Sequence, residues 1–347
     1  MHAHIRQDLA AIPPYVPGRS GVDAVKLSSN EVPGGPLPSV LRAITEAAQH
    51  ANRYPDMGSS ELLGALAQRL GVDSDRLAVG CGSVSLCTQL AQATCSDGDE
   101  VVFAWRSFEA YPILARVVGA VPVPVPLTED YRHDLDAMLA AITARTRLVF
   151  LCSPNNPTGT VIHRAELERF LDAVPPEVVV ALDEAYIEFV RDPEVADGFE
   201  LAADRPNLVV LRTFSKAYGL AGLRVGYSYA RPEITAAIRK VAVPFSVSSV
   251  AHAAALASLD AADELLARCE EIAQERVRVR DALLAGGFTV AQTQANFVWL
   301  PLGADAAAFA EKCTAGAVLV RAFAGDGVRV SIGTPTENDA FLAIALG

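Results

Sequence analysis

The chain has 347 residues, of which 51% are hydrophobic and 20% charged, and its net charge is −12. This length suffices for two domains, and this composition excludes wholesale disorder. The acidic balance, with no run of lysine or arginine, argues against nucleic acid or an anionic membrane as the main partner.

Proline and glycine dominate residues 1–38, which predicts an extended arm that lies along a surface and forms no core. Apolar periodicity then predicts helices over 39–51 and 60–70, and Gly71 stands where a left-handed cap would end the second helix. Short apolar runs separated by helical segments follow, which is typical of a mostly parallel sheet buried on both faces. The runs are 77–79, 101–104, 148–152, 178–182 and 208–211, and the helical segments are 85–94, 164–173 and 232–241.

Past a junction near Pro244, a long helix over 263–284 and short strands at 296–300, 318–321 and 328–332 indicate a smaller α+β unit. The sequence therefore predicts an α/β protein with an arm (1–38), a large domain (39–245) and a small C-terminal domain (246–347).

The cysteines and apolar runs predict a cytoplasmic protein without a metal site. The six cysteines include no Cys-x-x-Cys pair and no zinc-like spacing with histidine. No segment reaches about 18 uninterrupted apolar residues, and the N-terminal region lacks a signal-peptide pattern.

Lys216 lies in the segment 213–226, directly after an apolar run. Its amine has Thr213 and Ser215 beside it and Arg224 eight residues on. This setting suits a Schiff base to an aldehyde that carries a phosphate, whereas a surface lysine is the plainer interpretation of Lys216 alone.

Two further motifs also begin where an apolar strand ends, at 152–159 and 183–186. Ligands of open α/β sheets bind beyond the carboxyl ends of the strands, so the three motifs should converge. Asp183 would need a cationic partner such as a protonated pyridine nitrogen, unless it is simply a helix N-cap. Tyr186 and Asn156 can point polar groups into the same crevice.

The glycine-containing segment 80–85 follows a strand and opens a helix, so the amides of Ser83 and Val84 could hold a phosphate that Arg224 clamps. It is not a dinucleotide fingerprint, because the third glycine is absent. Arg329 alternates with apolar residues on a C-terminal strand and is either a carboxylate fork or a solvated side chain. Trp105 and Phe108 could stack on a flat ring or belong to the core.

The chain resembles the fold-type I pyridoxal-phosphate aminotransferases, and within them the histidinol-phosphate aminotransferase branch, nearly from end to end. The resemblance rests on Ser-Ser-Asn-Glu (28–31), Asn-Arg-Tyr-Pro-Asp (52–56), Ser-Pro-Asn-Asn-Pro-Thr-Gly (153–159), Asp-Glu-Ala-Tyr (183–186), the Lys216 segment (213–226) and Val-Arg-Val-Ser-Ile-Gly (328–333). It implies a three-layer fold around a mostly parallel sheet, pyridoxal 5′-phosphate as the cofactor and a homodimer with shared active sites.

The resemblance also implies roles for individual residues. Lys216 matches the lysine that bonds to the cofactor and moves the substrate proton, and Asp183 matches the partner of the ring nitrogen. Phe108 matches the stacking position, where the family more often has tyrosine. Tyr54 matches a tyrosine that reaches the phosphate of the partner subunit. The remaining matches are Tyr186 and Asn156 on the ring oxygen, Thr213, Ser215, Arg224, Ser83 and Val84 around the phosphate, and Arg329 and Asn30 on the substrate.

The substrate prediction rests on departures from the histidinol-phosphate enzymes. The segment 30–35, Asn-Glu-Val-Pro-Gly-Gly, is more open and apolar than theirs, and only seven residues separate Arg321 from Arg329. The segments 35–40, 80–87, 105–109 and 294–303 are similar to actinobacterial aromatic amino acid aminotransferases. We therefore expect transfer between a phenylalanine-like amino acid and 2-oxoglutarate. Histidinol phosphate as the donor and a decarboxylase on the same scaffold stay open as alternatives. A cofactor-sensing regulator would normally carry an added DNA-binding domain, and we do not expect one, because the chain has neither the spare length nor a basic patch for it.

Overall fold

A computed structural model of the chain describes residues 6, 9, 10, 12, 14–16, 18, 21 and 23–347. The remaining positions of the predicted arm (1–38) lie outside these described residues. Across the described part, no helix combines the length and the apolar character needed to cross a bilayer.

The described residues form α-helices and β-strands that alternate along most of the chain. The helices are α1 (Pro38–Ala48), α2 (Ser60–Leu70), α3 (Gly82–Thr94), α4 (Ala110–Val117), α5 (Leu135–Ala140), α6 (Arg164–Ala173), α7 (Gly198–Asp204), α8 (Pro232–Val241), α9 (Ser249–Asp260), α10 (Ala262–Ala285), α11 (Ala306–Ala315) and α12 (Pro335–Leu346). The strands are β1 (Val25–Lys26), β2 (Leu77–Gly80), β3 (Glu100–Trp105), β4 (Val121–Pro126), β5 (Thr146–Cys152), β6 (Val179–Asp183), β7 (Leu208–Thr213), β8 (Gly226–Tyr229), β9 (Phe297–Leu300), β10 (Val318–Leu319), β11 (Arg321–Phe323) and β12 (Gly327–Ser331).

A seven-stranded sheet in the order β2-β8-β7-β6-β5-β3-β4 forms the centre of the molecule. Only β8 runs against its neighbours, β2 and β7, so the predicted mostly parallel sheet is confirmed. The sequence Gly-Tyr-Ser-Tyr of β8 contains no apolar run, which is why β8 was not predicted. Strand β4 was not predicted either, because its sequence alternates valine with proline. Proline is tolerated there because β4 is an edge strand.

Two apolar layers cover the two faces of this sheet. Phe150 and Leu211 pack with buried residues of α3, α4 and α8 on one face, whereas Leu151 and Val210 pack with those of α5, α6 and α7 on the other. Successive residues of a strand point to opposite faces, so a continuous apolar run fills both layers. The α/β three-layer fold is therefore confirmed.

The C-terminal part contains an antiparallel three-stranded sheet, β11-β12-β9, and β10 pairs instead with β1. The predicted strand 318–321 is thus two strands that belong to different sheets. The expectation that residues 1–38 form no core is wrong for their last part, because Leu27 and Leu37 are only 2% and 1% exposed. Their prolines and glycines set the backbone path, but the leucines between them still pack inward.

The register of the central strands determines where the site forms. Cys152 at the end of β5 pairs with Asp183 at the end of β6, which pairs with Leu211 in β7. Three consecutive loops therefore leave the same edge of the sheet side by side.

Candidate active site

One cavity of about 240 Å³ lies at this edge of the sheet. All but one of the predicted site residues line it. They are Asn30, Ser83, Val84, Phe108, Asn156, Asp183, Tyr186, Thr213, Ser215, Lys216, Arg224 and Arg329. The exception is Tyr54, which is 84% exposed and packs on Phe245 with ring centroids 4.7 Å apart.

Lys216 directs its amine into the cavity from the loop after β7. Its Nζ donates a hydrogen bond to the carbonyl oxygen of Ser29 at 3.1 Å and lies 5.8 Å from the ring centroid of Tyr186. Burial, helped by the positive charge of Arg329, lowers the pKa of Lys216 to about 7. A large neutral fraction is therefore present near pH 7, as a nucleophilic amine requires.

Asp183 is a buried carboxylate, 3% exposed, at the end of β6. Its Oδ1 accepts from the backbone N–H of Ala185 at 3.2 Å, and its Oδ2 accepts from the hydroxyl of Tyr111 at 2.8 Å. Burial raises the pKa of Asp183 to about 6, against the hydrogen bonds and the attraction of Lys216. No α-helix begins here, so the N-cap alternative is wrong. Within the described residues, no arginine or lysine forms an ion pair with this carboxylate.

Arg329 on β12 is only 8% exposed, so the solvated alternative is wrong. Its guanidinium donates to Oδ1 of Asn156 and, at 2.9 Å, to the carbonyl oxygen of Ser28. Its Nε is buried and has no acceptor in the described part of the chain. Both partners are neutral, and no carboxylate of the described residues forms an ion pair with this guanidinium, so it is available for a carboxylate.

A phosphate-sized cradle forms where α3 begins. Gly82 has φ +75°, and a Cβ there would collide with the guanidinium of Arg224. A Cβ on Gly226 would lie 2.7 Å from the backbone nitrogen of Ser83. Glycine at both positions lets the guanidinium and the amides at the start of α3 approach one another. Arg224 Nη1 also donates to Ser215 Oγ at 3.2 Å, and the positive end of the helix adds attraction for an anion.

Tyr186 and the two asparagines are arranged so that donors face the cavity. Asn30 Nδ2 donates to the hydroxyl oxygen of Tyr186 at 2.9 Å, which leaves the Tyr186 proton for another acceptor. Burial raises the pKa of Tyr186, so that proton is retained at neutral pH. The amide oxygen of Asn156 is occupied by Arg329, and its NH₂ group remains as a donor.

Of the two aromatic residues predicted to stack on a flat ring or belong to the core, Phe108 lies at the cavity and Trp105 does not. Phe108 lines the cavity and meets Tyr111 edge-on, with ring centroids 5.5 Å apart. Trp105 is not among the lining residues; it packs beside Phe103 with Arg106 over its ring at 4.4 Å.

The structure brings further residues to the cavity that were not predicted from the sequence. Tyr111 contacts Asp183, the carbonyls of Ser28 and Ser29 accept from Arg329 and Lys216, and Phe323 and Glu109 line the cavity. Ser28 and Ser29 lie in one of the motifs that carried the resemblance, which was the available signal for them. Tyr111 lies inside a helix. It was not predicted, because the sequence prediction looked for polar residues just after the ends of apolar strands.

The donor set fits pyridoxal phosphate. The glycine-lined cradle suits its phosphate, the unpaired buried carboxylate of Asp183 suits a protonated ring nitrogen, and the Lys216 amine suits its aldehyde.

Comparisons with known proteins agree with this fit. The family model for aminotransferase class I and II matches residues 22–344. An aromatic amino acid aminotransferase of Rhodococcus jostii (strain RHA1) is 61% identical over 345 residues, covering 99% of this chain and 96% of that protein. One from Rhodococcus erythropolis (strain PR4 / NBRC 100887) is also 61% identical, with the same coverage. The crystal structure of histidinol-phosphate aminotransferase from Sinorhizobium meliloti in complex with pyridoxal-5′-phosphate superposes with a TM-score of 0.86 at 31% identity, covering 92% of this chain and 89% of that one.

Proposed function

Because this chain belongs to the aminotransferase class I and II family, we propose that it uses pyridoxal 5′-phosphate to move an amino group between an aromatic L-amino acid and 2-oxoglutarate. One observation carries the proposal. A buried carboxylate (Asp183) and a buried guanidinium (Arg329), neither with a counter-ion among the described residues, line the same cavity as an amine with a pKa of about 7. The cofactor ring nitrogen and the substrate carboxylate would supply the two missing charges.

When bound, the cofactor supplies an electron sink for the negative charge that develops at the substrate Cα. Arg329 binds the α-carboxylate and so orients the Cα–H bond of the substrate. Lys216 Nζ, whose pKa is lowered by burial so that a neutral fraction is present near pH 7, accepts the Cα proton. Asp183 would keep the ring nitrogen protonated, and the hydroxyl of Tyr186 would donate to the ring oxygen. The phosphate would be held by Arg224, Ser215, Thr213 and the amides of Ser83 and Val84.

An Arg329→Ala variant is expected to lower kcat/KM for every amino donor by about 10²-fold or more, because the α-carboxylate of the substrate would be left desolvated and unpaired. Arg329→Lys keeps the charge but not the planar fork, so a smaller loss is expected. Steady-state kinetics with several donors measures both. An unchanged kcat/KM would place the carboxylate site elsewhere.

The substrate end of the cavity supports an aromatic side chain. Phe323 lines it, and the guanidinium carbon of Arg321 lies 5.2 Å from the centroid of the Phe323 ring. Arg321 Nη2 also pairs with Glu109 Oε2 at 2.9 Å. The charge of Arg321 is therefore balanced by Glu109. The wall at the substrate end of the cavity presents the aromatic ring of Phe323 and this ion pair. Such a wall suits phenylalanine better than a phosphate.

A Glu109→Gln variant is expected to shift preference toward a phosphorylated donor. The substitution removes the negative charge that lies 2.9 Å from Arg321 Nη2, so kcat/KM for histidinol phosphate relative to phenylalanine should rise about tenfold. Asp326→Asn is the matched control, since Asp326 pairs with Arg106 in the same cluster but not with Arg321. An equal ratio in both variants would contradict this assignment.

The function as a whole is tested by a donor panel. Phenylalanine, tyrosine, tryptophan, histidinol phosphate and aspartate are each supplied with 2-oxoglutarate, and kcat/KM and released carbon dioxide are measured. We expect the three aromatic donors to lead. Dominance of histidinol phosphate would overturn the donor assignment, and carbon dioxide without a keto acid would identify a decarboxylase.

We also propose a homodimer in which Tyr54 reaches the phosphate bound by the partner subunit. Tyr54, Met57, Val243 and Phe245 are 84%, 65%, 68% and 43% exposed, an apolar grouping typical of a protein interface. Mixing Lys216→Ala with Tyr54→Ala should restore about a quarter of the wild-type activity, since half of the dimers would carry one intact site. No gain over the separate variants would exclude sites shared through Tyr54.

The division into an arm (1–38), a large domain (39–245) and a small domain (246–347) is likewise proposed. The large sheet lies between residues 77 and 229, and the three-stranded sheet lies after 246. A cytoplasmic location is proposed because all six cysteines are free, and cell fractionation tests it.

A further inference from the structure

Tyr111 lies in α4 with its side chain fully buried, and its hydroxyl donates to Oδ2 of Asp183 at 2.8 Å. In the described part of the chain, Asp183 accepts one other hydrogen bond, from the backbone of Ala185. Tyr111 is therefore the one side chain there that donates a hydrogen bond to this carboxylate.

The ring of Tyr111 is held from several sides. It stacks on Phe150 with centroids 4.4 Å apart and planes at 6°, and it meets Phe108 edge-on. Such packing fixes the position of the hydroxyl. Phenylalanine would fill the same space without burying a polar atom, so the packing alone gives no reason for tyrosine here.

We propose that Tyr111 is a positioning residue that keeps Asp183 ionised and oriented to pair with the protonated ring nitrogen of the cofactor. The inference rests on the proposed function, since it concerns how the chain receives that cofactor.

Among the groups around Asp183, Tyr111 does most to keep the carboxylate ionised. The titratable groups that face it are Cys87 on α3, Cys152 on β5, Tyr186 after β6 and Lys216 after β7. Burial raises the pKa of the Cys87 and Cys152 thiols and of Tyr186, so all three are neutral. Among the influences that lower the pKa of Asp183, the Tyr111 hydrogen bond is the largest, ahead of Ala185 and Lys216.

The test compares two ligands of the apoprotein. Pyridoxamine 5′-phosphate has no aldehyde and binds without bonding to Lys216, and an analogue with carbon in place of the ring nitrogen cannot pair with Asp183. Loss of a hydrogen bond to a charged group predicts that Tyr111→Phe weakens pyridoxamine phosphate binding about tenfold at pH 7. The midpoint of its pH dependence should move upward, while the affinity of the analogue changes less than about twofold. Tyr229→Phe, a buried tyrosine on β8, should change neither affinity.

The outcomes separate the two proposals. Equal weakening of both ligands, or an unmoved pH midpoint, would overturn the role of Tyr111. Failure of the unaltered apoprotein to bind either ligand would instead overturn the cofactor assignment.

Discussion

A Lys216→Ala variant is expected to lose amino transfer by about 10⁴-fold or more while still binding the cofactor non-covalently. Lys216 carries the one amine among the described residues that line the cavity, so neither the covalent bond nor the proton transfer has a substitute. The phosphate cradle and Asp183 are untouched, so affinity should fall less than turnover.

Absorption spectra and single-turnover kinetics measure both effects. The unaltered apoprotein should bond to the aldehyde at a rate that rises through pH 7 and levels off above it, because only the neutral amine attacks and its pKa is about 7. Lys240→Ala, at an exposed lysine ending α8, should behave like the wild type. Substantial turnover in Lys216→Ala would refute the assignment.

An Asp183→Asn variant is expected to lower kcat by about 10²–10³-fold and to make the apoprotein more stable. The activity falls because an amide cannot keep the ring nitrogen protonated. The stability rises because burial raises the pKa of Asp183 from 3.8 to about 6, so its ionisation opposes folding by about 3 kcal/mol. The sign follows from proton binding: the native state holds the proton more tightly, so stability falls between about pH 4 and 6 and stays lower above that.

Urea unfolding of the apoprotein at pH 5 and pH 8 checks the second effect. The variant should lack the decrease in the free energy of unfolding that the wild type shows between these pH values. Asparagine can keep both local contacts, since its oxygen can accept from Ala185 and its NH₂ group can donate to Tyr111. An apoprotein less stable than the wild type at pH 8 would show that the carboxylate is compensated in the native state.

The convergence of the site was predictable because it follows from topology. Asn156, Asp183 and Lys216 all come just after buried apolar runs, and parallel strands bring their carboxyl ends to one edge. The family resemblance supplied Asn30 and selected the carboxylate role for Arg329, which its strand alternation had left open. The family match confirms the aminotransferase prediction, while the individual residue roles remain predictions.

What escaped prediction depends on contacts between distant segments. Ser28 and Ser29 contribute backbone carbonyl oxygens. Every residue has such an oxygen, so the residue type does not predict this role. Glu109 and Arg321 are 212 residues apart, so no local sequence pattern predicts that they form an ion pair. The burial of Leu27 was missed because a composition rich in proline and glycine describes backbone stiffness and not side-chain packing.

The segment Ser28–Asn30 has a consequence for biosynthesis. Its three residues contact Arg329, Lys216 and Tyr186 in turn, and the first of these contacts spans 301 residues. A nascent chain on the ribosome can therefore complete its large sheet well before the contact between Ser28 and Arg329 forms. The carboxylate site around Arg329 is completed only after residue 329 has been made, later than the residues of the phosphate cradle.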